Sequence, residues 1–256
     1  ISKTFFKGTI NEKKALNDLS LTLNDGDFCT VIGGNGAGKS TLLNSIAGAY
    51  LPDSGTIEIN GKDVTKMSEY KRAKFIGRVF QDPLKGTAAG MQVEENLLLA
   101  SRRGESRRLR WAFSAGDHDK YKAMVSRLDL GLEDRLSTRI GLLSGGQRQA
   151  LTLLMATIKR PEVLLLDEPT AALDPKTAAK VLKITDEIVH EQHLTTLMIT
   201  HNMKDALKYG NRLIMMNNGR IIADYSEDEK KNLTIDDLLK KFEETADAVS
   251  DRIVLG

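Results

Sequence analysis

The segment Gly33-Gly34-Asn35-Gly36-Ala37-Gly38-Lys39-Ser40 constrains this chain more than any other. It follows an apolar run, Phe28-Cys29-Thr30-Val31-Ile32, and precedes Leu42, Leu43, Ile46 and Ala47 at helical spacing. The order is therefore strand, glycine loop, helix. In that setting the glycines let backbone amides and a helix N-terminus close around an anion, and phosphate is the anion such a loop fits. Lys39 adds a point charge near the β- and γ-phosphates, Ser40 is placed to hold Mg²⁺ through its hydroxyl, and Thr41 to donate to an α-phosphate. Gly33, Asn35, Gly36, Ala37, Gly38, Lys39, Ser40 and Thr41 form the expected nucleotide-binding set.

A second apolar run, Val163 to Leu166, ends in Asp167-Glu168. A buried strand of a parallel sheet that delivers a carboxylate at its C-terminal end points to a metal-nucleotide site. Asp167 is expected to hold Mg²⁺ through water, and Glu168, on the other side of the chain, to polarise the attacking water as general base. Thr195 to Ile199 reads as a further buried strand.

With 256 residues the chain can bury a large α/β core. Its 37 Lys and Arg nearly balance 35 Asp and Glu, so charge gives no reason to expect a nucleic-acid partner. Cys29, the one cysteine, excludes an internal disulfide and reads as a core residue. The apolar runs are too short to span a bilayer, and no secretory signal is expected at the start.

Asn24-Asp25-Gly26, Asn60-Gly61 and Asn218-Gly219 each separate short β-prone stretches, which predicts antiparallel hairpins beside the parallel core. From Pro83 to Arg160 the periodicity becomes helical. The expected organisation is a single domain over 1–256, with a core in 1–82 and 161–225, an inserted helical subdomain in 83–160, and a C-terminal helical extension in 226–256. In that extension Thr234 caps an amphipathic helix carrying Ile235, Leu238, Leu239 and Phe242.

Leu143-Ser144-Gly145-Gly146-Gln147 stands just before a helix that leads to the acidic pair, and Ser144 with the two glycines offers a second anion site at a helix N-terminus. With this pentapeptide the chain resembles the ATP-binding subunits of ABC transporters, of the bacterial importer type. The resemblance implies a P-loop NTPase fold of mostly parallel sheet with an antiparallel β-subdomain and an inserted α-helical subdomain. It also implies an ATPase using ATP and Mg²⁺. By the same resemblance Gln81 is the Q-loop glutamine that contributes to Mg²⁺, Asp174 in Ala172-Leu173-Asp174 belongs to the D-loop, and His201 is the switch histidine at the γ-phosphate. Phe5 is the aromatic that stacks on adenine, with Phe6 beside it as the alternative. Ser144, Gly145, Gly146 and Gln147 would face the nucleotide bound by a second copy, in a dimer that sandwiches two ATP molecules. Departures are Phe5 where tyrosine is common and Ala150 where arginine is frequent.

The partners so implied are that second copy, transmembrane permease subunits and an extracytoplasmic solute-binding protein acting through the permease. The chain itself would lie peripherally on the cytoplasmic face of the membrane. A finer likeness, to ATPase subunits of importers for tryptophan, tyrosine or similar small solutes, rests on Gln81 to Thr87 and on Arg102-Arg103-Gly104. The competing reading is a non-transport ABC ATPase coupled to membrane signalling or the cell envelope.

The basic cluster Arg102, Arg103, Arg107, Arg108, Arg110 with Trp111 reads as a solvated surface. His190 and His193 read as exposed, and Asp117-His118-Asp119 as a helix start.

Overall fold

A computed structural model describes residues 1–105 and 116–254. Strands β1 (Lys3–Phe5), β2 (Lys13–Leu16) and β3 (Phe28–Gly33) lead into helix α1 (Lys39–Ala47), and β4 (Glu58–Ile59) with β5 (Lys62–Asp63) forms a small hairpin. Next come α2 (Glu69–Arg72), β6 (Ile76–Val79), α3 (Val93–Ser101), α4 (Asp117–Ser126), α5 (Gly145–Thr157), β7 (Val163–Asp167) and α6 (Pro175–Glu191). The chain continues through β8 (Thr196–Ile199), α7 (Met203–Lys208), β9 (Arg212–Asn217), β10 (Arg220–Tyr225), α8 (Glu227–Lys230) and α9 (Ile235–Val254). Part of the basic cluster, Arg107, Arg108, Arg110 and Trp111, lies outside the described residues.

Two compact units result: Ile1–Lys66 with Leu197 onward, and Met67–Thr196. In the first, the strand order is β10-β9-β3-β8. β3 runs parallel to β9, with Cys29 opposite Arg212 and Gly33 opposite Met216. It is buried along nearly its whole length, as its unbroken apolar run requires. Burial pushes the Cys29 thiol up to about 12, so it packs as a small hydrophobe. In the second unit, β6 and β7 pair in parallel, with Val79 opposite Leu166.

Two of the three predicted hairpins form. Asn60-Gly61 and Asn218-Gly219 adopt the paired positive φ angles that a two-residue turn demands (48° and 71°, 47° and 72°). The third, at Asn24-Asp25-Gly26, turns without a hairpin, because side chains take the backbone groups a ladder would use. Arg212 Nη1 donates to the Thr22 carbonyl at 2.6 Å, and the Asn24 amide donates to the Asp27 carboxylate at 2.9 Å.

The C-terminal extension is part of the first unit's core. Thr234 and Asp237 cap α9 reciprocally, and Leu238 is buried with Ile32, Ala206, Leu213 and Met215, against Met203, Leu207, Leu233 and Phe242. At the end of α8, Lys230 is buried too, and its ammonium donates to the carbonyls of Tyr209 and Gly210 and to Thr30 Oγ1. Burial pulls this ammonium down from 10.5 to about 8, partly opposed by the Cys29 side chain.

Between those two values the unfolded chain carries a proton on residue 230 that the folded chain has lost, so this group's contribution to stability rises with pH across the window. Urea midpoints of the parent chain relative to Lys230→Met should therefore climb from pH 8 to pH 10. Parallel curves for the two proteins would show that the ammonium is not held this way.

Candidate functional site

In the first unit the phosphate loop is built on backbone-to-backbone contact. A Cβ on Gly33 would stand 2.4 Å from the Met216 carbonyl oxygen, and one on Gly38 would stand 2.5 Å from that of Ala15. Gly36 and Gly38 also take positive φ angles of 80° and 100°. The loop thus lies so close against the backbone behind it that side chains at these two positions would collide with that backbone. Gly38 is the N-cap of α1 and supplies no side-chain cap, so the helix's first amides have no acceptor within the helix. Lys39 is buried, and its ammonium donates to the carbonyls of Gly33 at 2.7 Å and Gly34 at 3.1 Å. That folds the lysine along the loop it serves. Ser40 is exposed at the helix start, and Thr41 is half-buried beside it.

Two neighbours of this loop escaped the sequence reading. Gly219, read only as a hairpin residue, donates its amide to the Ala37 carbonyl at 2.9 Å, and its carbonyl accepts from Asn17 at 2.9 Å. A Cβ there would stand 2.7 Å from the Ala15 carbonyl oxygen, so the β9–β10 turn supports the loop from behind. Lys13 brings a second ammonium, with Nζ 3.1 Å from where a Cβ on Gly36 would lie. The faint signal for it is cross-strand pairing, since Lys13 stands opposite Phe5.

Phe5 is half-buried and packs edge-on against Tyr50, ring centroids 5.1 Å apart at 80°. Phe6 is 70% exposed, with φ at 53°. His201 is exposed at the end of β8 and directly precedes Asn202, whose side chain caps α7 by accepting from the amides of Lys204 and Asp205.

In the second unit, Asp167 ends β7 and Glu168 follows with φ at 48°, a left-handed conformation that costs a residue with a Cβ about 1–3 kcal/mol. Gln81 Nε2 donates to Glu168 Oε2 at 3.0 Å, so the structure brings together two residues 87 positions apart that had been given separate roles.

Ser144 caps α5: its hydroxyl accepts from the Gln147 amide at 3.2 Å, and Gln147 Oε1 accepts from the Ser144 amide at 3.1 Å. Gln147 Nε2 donates to the Leu130 carbonyl at 2.9 Å. Both polar ends of that side chain thus bond within the protein itself. Gly146 lies over α6, with a Cβ there only 2.0 Å from Thr177 Cγ2, and a Cβ on Gly145 would stand 3.2 Å from Leu173 Cδ2 just before that helix. Asp174 caps α6, and hydrogen bonds from Thr177 hold its carboxyl below the usual range. No cluster of three or more His, Cys, Asp or Glu able to hold a metal occurs among the described residues.

A family model described as ABC transporter matches residues 16–171. The chain belongs to the ABC transporter family. It is an ATPase of that family and an importer-type ATP-binding subunit. The tyrosine transport ATP-binding protein of Clostridioides difficile is 44% identical over 95% of this chain and 96% of its own length. The phosphonates import ATP-binding protein of Lactococcus lactis subsp. cremoris is 33% identical over 94% of this chain and 97% of its own. Among solved structures, an ABC transporter ATP-binding cassette in its ADP conformation is 31% identical with a TM-score of 0.74, covering 91% of each chain. A dimeric ATP-binding cassette in a post-hydrolysis state bound to ADP and Pi is 26% identical with a TM-score of 0.74, covering 89% of this chain and 96% of that one. The fold of this ABC ATPase is the P-loop NTPase fold, with a mostly parallel sheet, separate antiparallel strands and a helical part.

Gly146→Ala drives a methyl group into Thr177 and should cost about 1–3 kcal/mol of stability by urea denaturation. Thr177→Ser removes the methyl that Gly146 excludes and should return much of that loss when the two changes are combined. Additive costs would mean that the two helices do not meet at this point.

Proposed function

We propose that this ABC ATPase hydrolyses MgATP to energise uptake of a small solute, an aromatic amino acid or a close analogue, through a separate membrane permease. The observation that carries the solute class is the 44% identity, over nearly the full length of both chains, to a tyrosine transport subunit. Among the described residues no helix is long and apolar enough to cross a membrane, which fits a subunit that works on a separate permease. An extracytoplasmic solute-binding protein acting through that permease completes the assembly.

In the hydrolytic step, Lys39 and the amides of the phosphate loop take up charge on the transferred phosphoryl group. Glu168 accepts the proton of the attacking water, and the Gln81 amide orients its carboxylate. His201 contacts the γ-phosphate, and Phe5 offers its ring to adenine. Ser40, Gln81 and Asp167 would hold Mg²⁺, an all-oxygen donor set that suits a hard cation. When bound, that ion offsets phosphate charge.

Two copies would close on two ATP molecules, with Ser144, Gly145 and Gly146 of one at the γ-phosphate held by the other, and Asp174 near the same junction. Gln147 and the Ser144 cap would hold that edge in shape. Loss of the γ-phosphate then removes the contacts that keep the pair closed.

Glu168→Gln should bind ATP and accumulate as an ATP-bound dimer by size exclusion, while phosphate release falls at least about 100-fold. Turnover at the parent rate would remove Glu168 from the role of base. Lys39→Ala should lose ATP binding itself, measured by fluorescent nucleotide titration. For the solute, vesicles holding the cognate permease and binding protein should take up radiolabelled tyrosine or tryptophan with ATP inside. Uptake of phosphonate or thiamine instead, with no aromatic amino acid transported, would overturn the assignment.

A further inference from the structure

Lys230 is an unusual residue to find in a core. Its side chain is buried, and its three oxygen partners are the carbonyls of Tyr209 and Gly210, the latter at 3.0 Å, and Thr30 Oγ1 at 3.4 Å. None is a carboxylate. Burying a cation this way forfeits its hydration, and an apolar side chain of the same length would fill the space without that cost.

The place of these oxygens gives the lysine a use. Tyr209 is the C-cap of α7 and Gly210 follows it, so the ammonium sits at the negative end of that helix. Thr30 extends the same network, its hydroxyl donating to the Ala206 carbonyl of α7 at 3.0 Å and the Arg212 carbonyl at 3.2 Å. At its other end α7 is capped by Asn202, the residue after His201. The backbone on the near side of His201 is pinned as well, with the Thr200 amide donating to the Val31 carbonyl at 3.2 Å and the Asn202 amide to Thr200 Oγ1 at 3.1 Å. His201 therefore stands at the tip of a short helix whose base is held by a residue of the C-terminal extension. α9 adds a second hold, because Leu238 packs with Ala206, Met203 and Leu207.

We propose that Lys230 is a positioning residue for catalysis, anchoring α7 so that His201 is presented to the γ-phosphate, and that the C-terminal extension thereby takes part in hydrolysis without touching nucleotide. This rests on the reading of His201 as the γ-phosphate contact.

The test compares the parent chain, Lys230→Met, His201→Ala and the double variant by ATPase kinetics, with thermal melts to confirm folding. The imidazole NMR signals of the four histidines are followed alongside. Lys230→Met should lower kcat about tenfold, the scale of losing a charge-assisted hydrogen bond, and leave KM for ATP unchanged. Only the His201 signal should move, while those of His118, His190 and His193 stay in place. In the His201→Ala background the same change should lower turnover no further.

An unmoved His201 signal, an unchanged kcat, or a loss of equal size without His201 would overturn the proposal. Parent-level turnover in His201→Ala would instead remove the γ-phosphate role of His201, and the NMR signals would still decide whether Lys230 positions it. If His201→Ala leaves no measurable turnover, the kcat of Lys230→Met and the NMR signals decide. If Lys230→Met does not fold, Lys230→Gln, which keeps a shorter neutral donor, is measured in the same way.

Discussion

The seat of the phosphate loop depends on the carbonyl of Ala15. It lies within a methyl group's radius of two glycines far apart in sequence, Gly38 at the start of α1 and Gly219 in the β9–β10 turn. A side chain at either position would push the phosphate loop off the strand that supports it. The hydrogen bond from Gly219 to Ala37 fixes the third edge of this contact, and Gly33 makes a similar approach to Met216. The loop's shape is therefore set by other backbone segments more than by its own sequence. A backbone so held suits the proposed use of its amides, since donors that need no reorganisation at the moment of reaction are worth most.

Much of the site was legible because its chemistry is local. A glycine-rich turn between an apolar strand and a helix, an acidic pair at a strand end and a serine three residues before a glutamine each announce themselves within a few positions. Contacts across long stretches of chain were not legible. Nothing near Lys13 marks it as a cation for Gly36, and nothing near Lys230 marks it as a partner of Tyr209, because either lysine would read as solvent-facing by composition alone. The turn at Asn24 shows the opposite error. Its residues have hairpin character, but Arg212 and Asp27 compete for the same backbone groups and win. For Gln147 the residue was noticed but its bonds to Ser144 and Leu130 were not, since membership of a signature pentapeptide says nothing about which way an amide side chain turns.

The two carboxylates after β7 show how one strand end supplies two chemistries. Asp167 ends the strand in regular register, whereas Glu168 takes a conformation usually left to glycine or asparagine. In the proposed mechanism the first would serve a metal and the second water. Gln81 meets Glu168 from the first loop after β6, the segment that leads on toward the helical part of the same unit. The Glu168 carboxylate is thus held between segments that follow the two parallel strands of that unit.

Gly146 and Thr177 meet with no room for a further methyl group, and Thr177 is also the residue whose amide Asp174 caps. The start of α5 and the start of α6 are consequently one solid piece, with Ser144 on one corner and Asp174 on another. A displacement of either corner carries the other with it, as two teeth cut on the same gear. A push on the Ser144 edge is therefore also a strain on the cap that holds Asp174.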